Sequence, residues 1–136
     1  MVANNEFIEH CFVHGNYYGT AKAEIERVRK SEKICILEID VQGAQKVADG
    51  KIGANFMFIY PPSFEVLAAR LQGRGTESKE QVEKRLNTAK KELEFGKKSG
   101  LFPHELVNDN FEASFKEFKE VLFKMYRTEV GLKHLQ

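Results

Sequence analysis

No stretch of this 136-residue chain approaches the ~20 consecutive apolar residues of a membrane-spanning helix. The N-terminus has no apolar run resembling a secretory leader, because Asn4, Asn5, Glu6 and Glu9 interrupt it. A cytoplasmic protein is the expectation. The chain has only two cysteines, Cys11 and Cys35, and both sit in apolar alternating runs. They read as small core residues and not as a disulfide framework. Charge of one sign is also lacking. A formal net charge of +1 gives no general field for nucleic acid or anionic membrane, so any basic site must be local. There is no internal repeat and no low-complexity segment.

A phosphate loop is missing as well. "GKKS", residues 96–99, imitates the end of the pattern GxxxxGK[ST]. It fails because Lys91 stands where the first glycine belongs, and because a helix precedes it instead of a strand. It reads as a helix C-terminus carrying Gly96 and lysines. His10 and His14 have a possible metal spacing, but no cysteine or carboxylate completes a ligand set. No metal site is expected.

What is present is an alternation of strand and helix. Residues 7–12 read as a strand, and "HGNYYGT" turns into a second short one. Thr20 is placed to cap a helix over residues 21–30, with Ala21, Ile25 and Val28 on one face. "KICILEID", residues 33–40, has the continuous apolar pattern of a buried parallel strand. A helix over 41–47 and a buried strand over 54–60 follow, the latter stopped by Pro61 and Pro62. Ser63 caps the next helix. Ser78 and Gln81 have capping-box spacing at the head of a long helix running to about Phe95. Residues 105–108 read as a short strand. The last helix carries a stripe of Phe111, Phe115, Phe118, Leu122 and Met125. The class is α/β with a parallel sheet, in one domain. The tail after Tyr126 is expected to be loosely held.

Ligands of parallel α/β sheets gather at the carboxyl ends of strands. Here those ends carry Glu38 and Asp40, and then Asn108 and Asp109. Asp40 either caps the following helix or faces a ligand, and both readings stand. Two acids spaced by two on a strand point the same way, and burying both without a partner is costly. A second cluster holds Arg70, beside the apolar face of its helix, Arg74 inside "GRGT", and Arg85, about 60° off the stripe of the long helix. Each reads either as a solvated surface arginine or as one fork of a polyphosphate clamp.

Together these residues resemble the guanylate kinase family, whose members phosphorylate GMP with ATP. The resemblance rests on "NNEFIEH", "HGNYYGT", "ILEIDVQGAQKV", "FIYPPSFEVLAARLQGRGTES", "VEKRLNTAKKELE" and "LVNDN". These stretches occur in the family's order and extend to about Met125. The resemblance implies GMP and ATP as substrates, with Mg²⁺ accompanying ATP. It implies that Glu9 accepts the guanine N1 and 2-amino hydrogens, that Tyr18 binds the GMP phosphate, and that Thr20, where serine is usual, donates to guanine O6. Asp40 matches an acid near guanine and the transfer site. Glu38 stands where aspartate is usual. Arg70, Arg74 and Arg85 match lid and hinge arginines that clamp the ATP phosphates and the transferring group. Asn108 matches a residue near the ATP base, and Asn110 replaces a frequent acid.

It further implies a P-loop NTPase-type three-layer parallel sheet with a helical lid and a remnant of the GMP-binding β subdomain. On this reading residues 1–20 are a partial GMP-binding region, 21–62 core, 63–95 lid and hinge helices, 96–126 core, and 127–136 a tail. Family members begin with a strand, a phosphate loop and a helix that these residues do not include. The expectation is therefore a truncated form, lacking the central first strand, poorly stable, and with impaired or no activity alone. Family members are monomers; an open sheet edge would also permit association. A non-catalytic binding module of the scaffold type and a regulatory fragment are the alternatives. The retained arginines and Glu9 favour the enzyme lineage.

Overall fold

The computed structural model describes residues 6–13, 15–51, 53–73, 75 and 78–126, with the side chains of 11–13 left aside. Its elements run β1 (Phe7–Val13), β2 (Asn16–Ala21), α1 (Lys22–Lys30), α2 (Val41–Asp49), β3 (Met57–Tyr60), α3 (Phe64–Gln72), α4 (Lys79–Lys98), β4 (His104–Val107) and α5 (Phe111–Tyr126). The chain divides into two compact units. The first comprises residues 1–55 with 122–136, and the second residues 56–121.

In the first unit β1 and β2 form an antiparallel hairpin, with Val13 opposite Asn16 and Gly15 at φ 81°. The register slips between Phe7 and Glu9, so that one extra residue, Ile8, is accommodated as a bulge. The expected helix after the hairpin is present as α1, with Ile25 buried and Ala21 and Val28 half-buried. Thr20 does not cap it. The N-cap is Ala21, which makes no side-chain cap bond; the Lys22 amide instead donates to the Glu6 carbonyl at 2.8 Å. Helix α2 begins where Asp40 caps it, Oδ1 accepting from the Gly43 amide at 2.8 Å. Ala44 and Val47 bury its inner face.

The segment 33–40, expected as a buried parallel strand, joins no ladder among the described residues. A strand exists only through a neighbour that takes up its amides and carbonyls, and no described segment does so here. Its burial still alternates: Leu37 and Ile39 are half-buried, while Ile36, Glu38 and Asp40 are exposed.

In the second unit β3 and β4 pair in parallel, Met57 opposite His104 through Tyr60 opposite Val107. Among the described residues this is the whole of the parallel sheet, so the expected three-layer sheet is reduced to a two-stranded pair. The caps read from the sequence are in place. Ser63 Oγ accepts from the Val66 amide at 3.1 Å, and Ser78 and Gln81 close a reciprocal capping box. The core of this unit is aromatic. Phe58 lies tilted against Tyr60 at 4.4 Å between ring centroids and meets the edge of Phe102 at 5.0 Å. Phe102 in turn meets Phe56 and Phe95.

Residues 96–99 form the C-terminus of α4, as read from the sequence: the helix continues past Phe95 to Lys98, with Lys97 and Lys98 in its last turn, and Gly100, at φ 68°, is the left-handed residue after the Ser99 cap. One expectation needs correction here. The stripe of α5 is buried only toward its C-terminus. Leu122 is buried and Phe118 half-buried, but Phe111 and Phe115 are exposed, stacked on each other at 5.9 Å. At that end Ser114 is the buried residue, its hydroxyl donating to the Val107 carbonyl at 3.0 Å.

Candidate active site

The site is built from the bottom of the hairpin. The Ile8 bulge sets Glu9 directly opposite Thr20, and opposite residues of an antiparallel pair share a face. Glu9 on β1 is buried, only 8% exposed. Burying a carboxylate is costly unless its oxygens find partners. The Thr20 hydroxyl supplies one, donating to Glu9 Oε1 at 2.7 Å.

The other oxygen, Oε2, points at the first turn of α2. It lies 3.3 Å from the point where a Cβ on Gly43 would stand, as does Asp40 Oδ1. Two acids therefore meet at one helix N-terminus, where the amide dipoles favour negative charge. Lys46, one turn further along α2, donates from Nζ to the His10 carbonyl and ties the helix to β1.

Of the two readings of Asp40, the capping one is seen directly, through Oδ1 alone, and it is compatible with the other. Thr20 also has a definite role. An ionised carboxylate only accepts, so the single hydroxyl proton of Thr20 is engaged by Glu9, and Thr20 offers lone pairs to anything else. Donation to a carbonyl such as guanine O6 requires the hydroxyl to rotate. Tyr18 is 57% exposed and Tyr17 65% exposed on β2. Strand alternation puts Tyr18 on the same face as Thr20, about 7 Å along the strand, and Tyr17 on the other. Glu38 is exposed, two residues before the cap.

The second unit holds the remaining candidates. Arg70, exposed on α3, donates to the carbonyls of Asn108 at 3.0 Å and Asp109 at 3.4 Å, binding α3 to the end of β4. Asn108 is exposed, and its amide donates to the Tyr60 carbonyl at 2.7 Å. Asn110 accepts from the Ala113 amide at 3.1 Å, at the head of α5. Arg85 is exposed on α4. Arg74 and His14 lie outside the described residues. Tyr60 is buried, and its phenol is held above its ordinary value by that burial first and by the Glu105 carboxylate beside it. Gly43 and the Ile8 bulge were not singled out by sequence reasoning. A glycine three residues after the capping acid in "DVQG" was the available signal for the first; the second leaves none.

An acid buried at a helix N-terminus and held by a neighbouring hydroxyl is a polar acceptor shaped before any ligand arrives. Such a site is suited to reading hydrogen-bond donors. The guanylate kinase family profile matches residues 1–125, and the chain belongs to that family.

Among its relatives, "Guanylate kinase 1" of Oryza sativa subsp. japonica is 47% identical over 121 residues, 89% of this chain and 32% of the relative. "Guanylate kinase" of Homo sapiens is 36% identical over 121 residues, 89% of this chain and 61% of the relative. The crystal structure of guanylate kinase from Anaplasma phagocytophilum superposes with a TM-score of 0.70 at 28% identity, covering 98% of this chain and 65% of that one. The fold is thus guanylate kinase-like α/β, with helices and small parallel and antiparallel sheets. The chain spans between about a third and two thirds of the length of these relatives. Among the described residues no helix is long and apolar enough to cross a membrane.

Proposed function

We infer that this chain carries the GMP-recognising and lid parts of a guanylate kinase, an enzyme moving a phosphoryl group from ATP to GMP. The observation supporting this most directly is the buried Glu9 carboxylate, pinned at 2.7 Å by Thr20 beside the capped start of α2. An acceptor there suits the N1 and 2-amino hydrogens of guanine and rejects adenine, whose donors are arranged differently. A site whose buried polar groups must be paired discriminates strongly, because the wrong ligand leaves them unsatisfied.

On this reading Tyr18 meets the GMP phosphate from the same face of β2, and Glu38 and Asp40 border the base and the transfer site. Arg70, Arg74 and Arg85 neutralise the phosphates during transfer, and Asn108 lies by the ATP base. Phosphoryl transfer depends on positioning and charge stabilisation, which is what guanidinium forks supply. Mg²⁺ enters as part of the ATP substrate. Among the described residues no three potential metal ligands gather. GMP recognition is expected to outlast turnover when the 136 residues are assayed by themselves, since they contain no GxxxxGK[ST] loop.

The test pairs equilibrium binding of GMP and AMP with ADP release in the presence of GMP and ATP·Mg²⁺. GMP is expected to bind in preference to AMP, and Glu9→Gln to reduce that preference about tenfold or more, the worth of one charge-assisted hydrogen bond. Equal binding of GMP and AMP, or an unchanged preference in Glu9→Gln, overturns the reading.

A further inference from the structure

Gly43 lies in the first turn of α2, where nothing about the backbone calls for glycine. It is helical, and its φ is not in the left-handed region. An alanine there would favour the helix. What the position lacks is room. A Cβ would stand 3.2 Å from Ile39 Cβ, 3.3 Å from Asp40 Oδ1 and 3.3 Å from Glu9 Oε2.

These three neighbours do not yield equally. Ile39 Cβ is fixed to the main chain next to the cap. Asp40 Oδ1 is held by the amide of Gly43 itself at 2.8 Å. Glu9 comes from another element, at the end of a longer side chain, and only its other oxygen is anchored, to Thr20. The carboxylate of Glu9 is therefore the group that moves.

We propose that Gly43 is a positioning residue for base recognition: its missing side chain is the space in which the Glu9 carboxylate is held against the start of α2. The proposal rests on the reading of Glu9 as the acceptor of guanine's donors, and deepens it. A methyl group at this point shifts Oε2 by a few tenths of an ångström or rotates the carboxylate away. Hydrogen-bond strength falls steeply with misalignment. A buried acceptor that no longer meets its donors loses selectivity before it loses stability.

The experiment measures GMP and AMP affinities and thermal unfolding for the full chain, Gly43→Ala, Glu9→Gln and the double variant. Gly43→Ala is expected to unfold at or above the temperature of the parent while its GMP-over-AMP preference falls about fivefold or more. In the Glu9→Gln background the same substitution is expected to leave the ratio unchanged, because the two act through one carboxylate. If Glu9→Gln removes the preference and Gly43→Ala keeps it, the proposal is overturned and the reading of Glu9 stands. If Glu9→Gln keeps the preference, or the parent has none, that reading fails and takes the proposal with it. Loss of the folded state in Gly43→Ala also overturns the proposal, since the glycine then serves packing alone.

Discussion

Replacing Gly96 by alanine puts two well-known effects in opposition. Gly96 lies inside α4, two residues before its end. In an exposed helix interior the change stabilises by about 0.5–1 kcal/mol, through lower backbone entropy in the unfolded chain. Here the new methyl would stand 2.5, 2.6 and 2.9 Å from three ring carbons of Phe58. Carbon atoms prefer about 3.5–4.0 Å, so the overlap is about 1 Å. The ring has little room to retreat, because the Tyr60 ring lies tilted against it at 4.4 Å and Phe102 abuts it at 5.0 Å. Overpacking of this kind costs about 1–3 kcal/mol. The clash therefore outweighs the propensity gain, and Gly96→Ala is expected to destabilise by about 1–2 kcal/mol. Urea unfolding followed by circular dichroism reads this directly. In a Phe58→Leu background the methyl has space, and the same substitution is expected to be neutral or stabilising. A stabilised Gly96→Ala, or an equal effect in both backgrounds, would refute the claim that ring contact sets the position.

Two further outcomes follow from the second unit. The Tyr60 phenol, donating to Glu105 Oε1 at 3.4 Å, titrates above 10.0 in the fold. A raised folded value means that the stability it confers is present below about pH 10 and is lost as pH rises through the folded value. Urea unfolding from neutral pH to about pH 11 is thus expected to show a steeper alkaline loss for the parent than for Tyr60→Phe, and parallel curves would contradict the assignment. Arg70→Ala removes two donations to the carbonyls after β4. Because Arg70 is exposed, a loss of about 0.5 kcal/mol is expected, with faster amide exchange in the turn before α5. Full restoration by Arg70→Lys would show that charge, not the guanidinium fork, makes the link.

The parts of this fold that were legible in the sequence are those decided within one turn of chain. Asp40, Ser63 and Ser78 each cap a helix at the expected position, because a cap needs only a side-chain oxygen and an amide three residues on. The parts that were not legible depend on partners far along the chain. Residues 33–40 have the composition of a strand, but pairing is a property of two segments, and no described segment pairs with them. Gly96 and Gly100 illustrate a second limit. A glycine near a helix end serves either a left-handed turn or a close approach, and the residue alone does not say which. Gly100 does the first, at φ 68°, and Gly96 the second, under Phe58. The candidate site divides in the same way. Glu9, Tyr18 and Thr20 were legible through a family pattern, while the contact joining Glu9 to Thr20 spans eleven residues across a bulge that leaves no mark in the residue types.

On the proposed reading, the bulge and the glycine together bear on how a shallow hairpin reads a base. A regular two-stranded ribbon presents its polar side chains to water, where each hydrogen bond gained with a ligand replaces one made with solvent and little selectivity results. Inserting Ile8 turns Glu9 into the register of Thr20, and omitting a side chain at Gly43 lets the carboxylate lie against a helix start. The acid residue is then buried, with one oxygen bonded to Thr20 and the second lying beside the start of α2. On the proposed reading, selectivity comes from matching guanine's donors to this preset acceptor, since a ligand whose donors are arranged differently leaves it unmatched. Tyr17 and Tyr18 remain at the exposed end of the same hairpin, more than half open to solvent. A phosphate contact there, as proposed for Tyr18, would add affinity with little discrimination between bases. Substitutions at Glu9, Thr20 or Gly43 are for that reason expected to act on base preference, and a substitution at Tyr18 on affinity for every nucleoside monophosphate alike.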